Sequence, residues 1–188
     1  MSLTITILGS GTSTGVPIIG CPCPVCNSND PKNKRLRASI FVQSKNTSLV
    51  VDTGPDFRYQ MIRENINTLD AVLYTHIHYD HVGGFDDIRP FSYRRKSPFP
   101  CYADSYTIEQ MKTRHPYIES TENYSSSRPQ VNFIPLQEKN GMMQPFTIGD
   151  IQIQPIKMLH VKDISLRSYG YVFNRQVGYL TDFKEIDK

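Results

Sequence analysis

The 188-residue sequence predicts one domain of mixed α/β (α+β) class. Three observations lead there. Several apolar runs have strand length and either alternate or are β-branched, only two segments carry helical spacing, and no stretch repeats another. A hydrophobic fraction of 38% over this length suffices for one core, so a single domain spanning residues 1–188 is expected.

Taken in order, Leu3-Thr-Ile-Thr-Ile-Leu8 alternates as a half-buried strand does. It runs into Gly9-Ser-Gly-Thr-Ser-Thr-Gly15, whose small residues suit either a tight structural turn or a nest of backbone N–H groups for an anion. The glycine spacing fits no dinucleotide fingerprint, and the lysine of a Walker loop is absent. Three cysteines follow in Cys21-Pro-Cys-Pro-Val-Cys26. Residues 38–43 and 47–51 read as paired strands joined at Lys45-Asn46. Residues 56–65 and 105–115 have helical spacing. Ile108 and Met111 share a face of the second helix, and His115, followed by Pro116, reads as its end. Strand runs cover Leu69 to Thr75, Ile151 to Leu159 and Val177 to Thr181, while the serine-rich stretch Glu119 to Pro129 reads as a mobile loop.

Chemistry concentrates in Tyr74-Thr-His-Ile-His-Tyr-Asp-His-Val-Gly-Gly84. His76, His78, Asp80 and His81 offer three imidazoles and a carboxylate within six residues. That donor set suits zinc, manganese or iron, and it is too dense for one ion to use fully. A dinuclear site is expected. Side chains two apart on an extended chain share a face, so His76 and His78 can reach one ion. Asp80 and His81 are adjacent and need a turn to face a second ion, with Gly83-Gly84 supplying its flexibility. Two strand runs end in an aspartate, one at Asp52 and one at Asp182. Asp52 suits the support of a ligand imidazole or of the cluster loop, and nearly as well the capping of the turn at Thr53-Gly54-Pro55.

The cysteines are read against their compartment. No basic region followed by an apolar core opens the chain, and no apolar stretch approaches a membrane span, so a cytoplasmic setting without membrane insertion is expected. Reducing conditions disfavour disulfides, which makes Cys21, Cys23 and Cys26 a structural zinc clip in need of a fourth ligand. Composition offers Cys101 for that role, and nothing places it nearby. A net charge of +3 does not announce a nucleic-acid binder. The basic clusters Lys32 to Arg37 and Arg94 to Lys96 read first as solvated surface and second as phosphate contacts.

His76-x-His78-x-Asp80-His81 resembles the signature of the metallo-β-lactamase-fold hydrolases. Ser48 to Gly54 resembles that superfamily's first motif, His160 its third-motif histidine, and Asp182 its bridging aspartate. The resemblance implies an αβ/βα sandwich with metals at the sheet edge between the halves. It implies one ion on His76, His78 and His160, a second on Asp80 and His81, and Asp182 shared. It further implies a last histidine, with closing strands and a helix, beyond Asp182. A sequence that stops six residues later is therefore expected to be truncated and to hold its second ion weakly. The glycine loop followed by Cys-x-Cys-x-x-Cys is similar to the phosphoribosyl cyclic phosphodiesterase (PhnP-like) subgroup. There the cysteines hold a structural zinc, completed by a histidine from the chain's far end.

Two divalent ions, zinc or manganese, about 3.5–4 Å apart can share a water and bring its pKa toward roughly 7. The resulting hydroxide is a nucleophile at neutral pH, and Asp80, beside it, is the candidate catalytic carboxylate. The expected activity is hydrolysis of a small phosphodiester, a cyclic phosphate or nucleotide-like molecule. A tRNA 3′-processing or other nucleic-acid phosphodiesterase ranks second, because no long basic arm is present. A metal-binding scaffold without turnover is the alternative from another class. Oligomeric state, a homodimer included, is not legible.

Overall fold

The computed structural model of the chain describes residues 2–119, 128–161 and 166–186. Most of the predicted loop at Glu119 to Pro129, its residues 120–127, lies outside the described residues.

At the centre run short strands that are apolar on both faces. β1 (Thr4–Gly9), β2 (Ser39–Gln43) and β3 (Ser48–Val51) pair antiparallel, and β4 (Ala71–Leu73), β5 (Phe99–Ala103) and β6 (Val131–Pro135) continue parallel to β3. Leu49, Val51, Ala71 and Leu73 face one way, Val50 and Val72 the other, and all are fully buried. Parallel strands covered on both sides need such continuous apolar runs. The crossovers carry α1 (Phe57–Arg63), α2 (Tyr79–Val82), α3 (Arg89–Tyr93) and α4 (Ser105–Arg114). Phe57, Met61, Val82, Phe91, Ile108 and Met111 from these helices pack on Val50 and Val72.

The opposite face of this sheet meets a second one. A small hairpin, β7 (Glu138–Lys139) and β8 (Met142–Met143), leads to β9 (Phe146–Ile148), β10 (Ile151–Leu159), β11 (Arg167–Phe173), β12 (Val177–Tyr179) and β13 (Glu185–Ile186). The order of the main strands is β12-β11-β10-β13, all antiparallel, with β9 also on β10. Ile151 and Ile153, with Tyr169, Tyr171 and Phe173, recur at the two-residue spacing of one sheet face and pack against Leu49, Val51 and Leu73. The result is the mixed α/β sandwich that the sequence predicts. None of the described helices is long and apolar enough to cross a membrane.

Two buried bonds tie the sheets together beside the histidine cluster. The Tyr171 hydroxyl donates to the Tyr74 carbonyl at 2.6 Å, and Tyr169 N donates to Thr75 O at 2.9 Å. The chain therefore leaves β4 for the histidine cluster clamped by β11. Tyr171→Phe strips the Tyr74 carbonyl of this donor without opening a cavity. The expected cost is about 1–3 kcal/mol in urea unfolding at unchanged m; an unaltered midpoint would show the bond to be dispensable.

Candidate metal centre

Four strand ends deliver the side chains. Asp52 follows β3, His76 and His78 follow β4, His160 follows β10, and Asp182 lies just past β12. Asp52 and Asp182 both adopt left-handed backbone, with φ of 66° and 51°. Aspartate tolerates that region better than most residues because its short polar side chain can bond locally. At Asp52 the turn sends a carboxylate, fully buried, across to the start of the cluster. It accepts bonds from Thr75 N and Thr75 Oγ1, both at 2.8 Å, and faces His81 Nδ1 at 2.7 Å.

Nitrogens of His76, His78 and His160 and an oxygen of Asp182 all lie within 4.8 Å of one another. His78 Nδ1 is 3.0 Å from His76 Nε2 and 3.2 Å from His160 Nε2, and His76 Nε2 is 3.7 Å from Asp182 Oδ2. Three ring nitrogens at such spacing cannot satisfy one another as donors and acceptors. A shared cation can: Zn–N bonds of about 2.0–2.1 Å in a tetrahedron put ligand atoms roughly 3.3 Å apart. Tautomer follows from Thr75, whose hydroxyl donates to Asp52 and so accepts from His76 Nδ1 at 3.0 Å, leaving the Nε2 lone pair for the cluster. Burial, with His81 and His78 alongside, pushes the His76 imidazole down to about 2, so it stays neutral.

A second group joins Asp80, His81 and Asp182. His81 Nε2 is 3.0 Å from Asp182 Oδ2 and 3.2 Å from Asp80 Oδ2, while Nδ1 rests on Asp52. Burial pushes this imidazole down, but Asp52 and the other two carboxylates outweigh it and raise its pKa to about 12. Its hydrogen bond in turn holds Asp182 well below the usual carboxylate range. Two donor sets thus share Asp182, a chemistry that suits two divalent ions.

The turn at Asp80 and His81 is one corner of helix, α2, with His78 at its N-cap. Gly83 and Gly84 do not serve it through flexibility, as the sequence suggests. Their φ values of −64° and −100° are open to any residue. They are needed for space: a Cβ on Gly84 would lie 2.2 Å from the Gly54 carbonyl oxygen, and one on Gly83 2.7 Å from the Tyr79 ring. A Cβ on Gly54 would lie 2.1 Å from the Asp80 carbonyl oxygen. Thr53 N donates to His81 O and Gly84 N to Thr53 O, both at 2.8 Å, zipping the two turns together.

Elsewhere, the thiols of Cys21, Cys23 and Cys26 also lie within 4.8 Å of one another. A hydrogen bond from Cys26 N and the neighbouring thiols lower the Cys23 pKa to about 7, which favours the thiolate that a metal takes. The three sulfurs suit zinc, and no fourth donor joins them among the described residues. Cys101 is buried in the helix-side core on β5 and is not in the group. In the glycine loop, the N–H groups of Gly11, Gly15 and Val16 bond to Leu36, Thr12 and Arg35 carbonyls, so at these residues it behaves as a packed turn. Arg37 binds Asp56 and the Ser13 carbonyl, Arg94 the Asn67 carbonyl, and His115 caps α4. These basic residues are at least partly structural.

Residues 47–188 match the model of the beta-lactamase superfamily domain, a span that includes every member of both His/Asp groups. The chain belongs to the beta-lactamase superfamily. Its crystal-structure relatives include a diphosphatase described as a new member of the PhnP family, 38% identical, with a TM-score of 0.79 over 92% of this chain and 62% of that one. Zinc-bound PqqB from Methylobacterium extorquens shares the fold, at 20% identity and a TM-score of 0.66 over 90% of this chain and 61% of that one. Among curated proteins, an octanoyltransferase of Porphyromonas gingivalis is 37% identical over 181 residues, which make up 96% of this chain and 35% of that protein. This superfamily member thus spans less than two thirds of each of these relatives.

Sequence reasoning passed over Thr75. Its hydroxyl bridges Asp52 to His76, and the only signal was a hydroxyl residue at the mouth of the motif. Ser168, which donates to the Asp182 carbonyl at 3.0 Å, carried no signal at all. Two outcomes follow from this geometry. Asp52→Asn removes the charge that orients His81 and lowers manganese affinity about 10–100-fold in calorimetric titration; equal affinity would show Asp52 to be a turn residue only. Because His81 must give up a proton before Nε2 can bind an ion, manganese affinity rises with pH across neutrality, by about tenfold per pH unit for one proton released. Titrations in buffers of differing ionisation enthalpy count that proton, and a pH-independent affinity would contradict it.

Proposed function

We propose that this superfamily member carries the centre of a metal-dependent hydrolase that cleaves small phosphodiesters, of cyclic-phosphate or nucleotide-like type, in a reducing cytoplasm. The convergence of His76, His78, His160, Asp80 and His81 on a shared Asp182 supports this most strongly. The 38% identical structure is described as a diphosphatase, which keeps the chemistry at phosphorus. The octanoyltransferase name belongs to a protein of which this chain matches 35%.

His76, His78, His160 and Asp182 would hold one divalent ion, zinc or manganese, and Asp80, His81 and Asp182 a second. When bound, such ions supply an acidified water and positive charge for the phosphate oxygens. Hydrolysis forms one O–P bond from water and breaks another, so the water's proton must leave. Burial raises the Asp80 pKa, but the bond to His81 prevails and keeps the carboxyl ionised at neutral pH. With one Asp80 oxygen given to the second ion beside His81, the other would be free to take that proton and pass it to the leaving oxygen. Asp52 and Thr75 hold His81 and His76 in place without touching substrate. The cysteine clip would hold a structural zinc away from the reaction.

Protein loaded with zinc or manganese is expected to cleave bis-p-nitrophenyl phosphate. His78→Ala and Asp80→Ala each reduce the rate at least about 100-fold. Full activity in both variants would sink the assignment, and an inert wild type that binds zinc tightly would favour a scaffold. Preference for precursor tRNA over cyclic ribose phosphates would move the substrate class to nucleic acid.

A further inference from the structure

Arg114, the last residue of α4, donates from Nη1 to the carbonyl of Ile77 at 2.9 Å. Ile77 separates His76 from His78, and its own side chain points into the helix-side core. The guanidinium is therefore fixed one peptide away from two members of the His/Asp cluster. Arg114 is exposed, and among the described residues no carboxylate lies within ion-pair distance of it. Lys112, on the same helix, is paired with Glu119. Arg37 is held by Asp56, and Arg95 lies 3.9 Å from Asp70 and over the Phe99 ring. Arg35 and Arg94 rest on carbonyls as Arg114 does, but on those of Lys32 and Asn67, outside the histidine segment. The carboxylates of the cluster itself, Asp52, Asp80 and Asp182, all face His81.

An arginine carries five N–H donors in a rigid fork that matches two oxygens of a phosphate. One donor here serves the Ile77 carbonyl, which fixes the plane of the fork and lowers the entropy lost when an anion docks. The remaining donors belong to an exposed side chain whose anchor lies between His76 and His78, and a cation without an acidic partner gains most from an arriving anion.

We propose that Arg114 is the phosphate clamp of this centre, gripping a non-bridging oxygen of the substrate while anchored on the segment that carries His76 and His78. This rests on the phosphodiester reading for its substrate, though not for its anion chemistry. Arg114 is then a substrate-contacting residue, and its pin to Ile77 couples anion binding to the cluster.

The test uses zinc-loaded protein, inorganic phosphate as the probe, and Arg114→Ala and Arg114→Lys with zinc content measured on each. Arg114→Ala is expected to weaken phosphate binding, and to raise KM for bis-p-nitrophenyl phosphate, by about tenfold or more at unchanged zinc content. Arg114→Lys restores part of the binding through its charge and not the full effect, since it lacks the fork. Wild-type phosphate affinity in Arg114→Ala overturns the proposal. So does a loss of zinc in step with phosphate, which would make Arg114 a support for the loop alone. A wild type that binds phosphate through Arg114 yet cleaves no diester leaves the clamp standing and overturns the diesterase reading instead.

Discussion

The centre depends on a single buried carboxylate. Asp52 reaches from the end of β3 to the end of β4 and binds three groups there, the Thr75 amide, the Thr75 hydroxyl and the His81 ring. Each of those groups sets another: the hydroxyl fixes His76, and the ring faces Asp80 and Asp182. A carboxylate held in low dielectric with all its bonds made is stiff, because any rotation leaves an unpaired charge buried. The histidines inherit that stiffness.

The sandwich exists to keep those strand ends fixed. β3 and β4 lie parallel in the middle of the first sheet, sealed by helices on one face and by β10 and β11 on the other. Ligand sites of such sheets gather beyond the carboxyl ends of the strands, where the loops are free to vary. Here the second sheet adds His160 and Asp182 from its own strand ends, so the cluster closes only when the two sheets have docked. Tyr171 on Tyr74 marks that docking at the level of one hydrogen bond.

Much of this was readable beforehand, and the exceptions have physical causes. The alternating run at Ile151 to Leu159 and the apolar runs that became β3 and β4 announce themselves, because burial on one face or two leaves a period in the sequence. The strand at Leu69 to Thr75 contracts to Ala71–Leu73, though Tyr74 N still donates to Tyr102 O. β5 escaped notice because Pro100 sits inside it, and β11 because Gly170 interrupts its aromatic residues. The histidine motif put its members in one place by spacing alone. His160 and Asp182 needed the family pattern, since nothing local says that ends of the chain so far apart in sequence will meet. The glycines of the cluster were noticed for the wrong property: they give clearance, not freedom of φ.

That clearance has a consequence of its own. Between Gly54, Asp80 and Gly84, peptide lies on peptide with no side chain intervening. A side chain has no room at such a junction, so any change of substrate preference in this chain has to come from outlying positions, with the packed turns beneath left as they are.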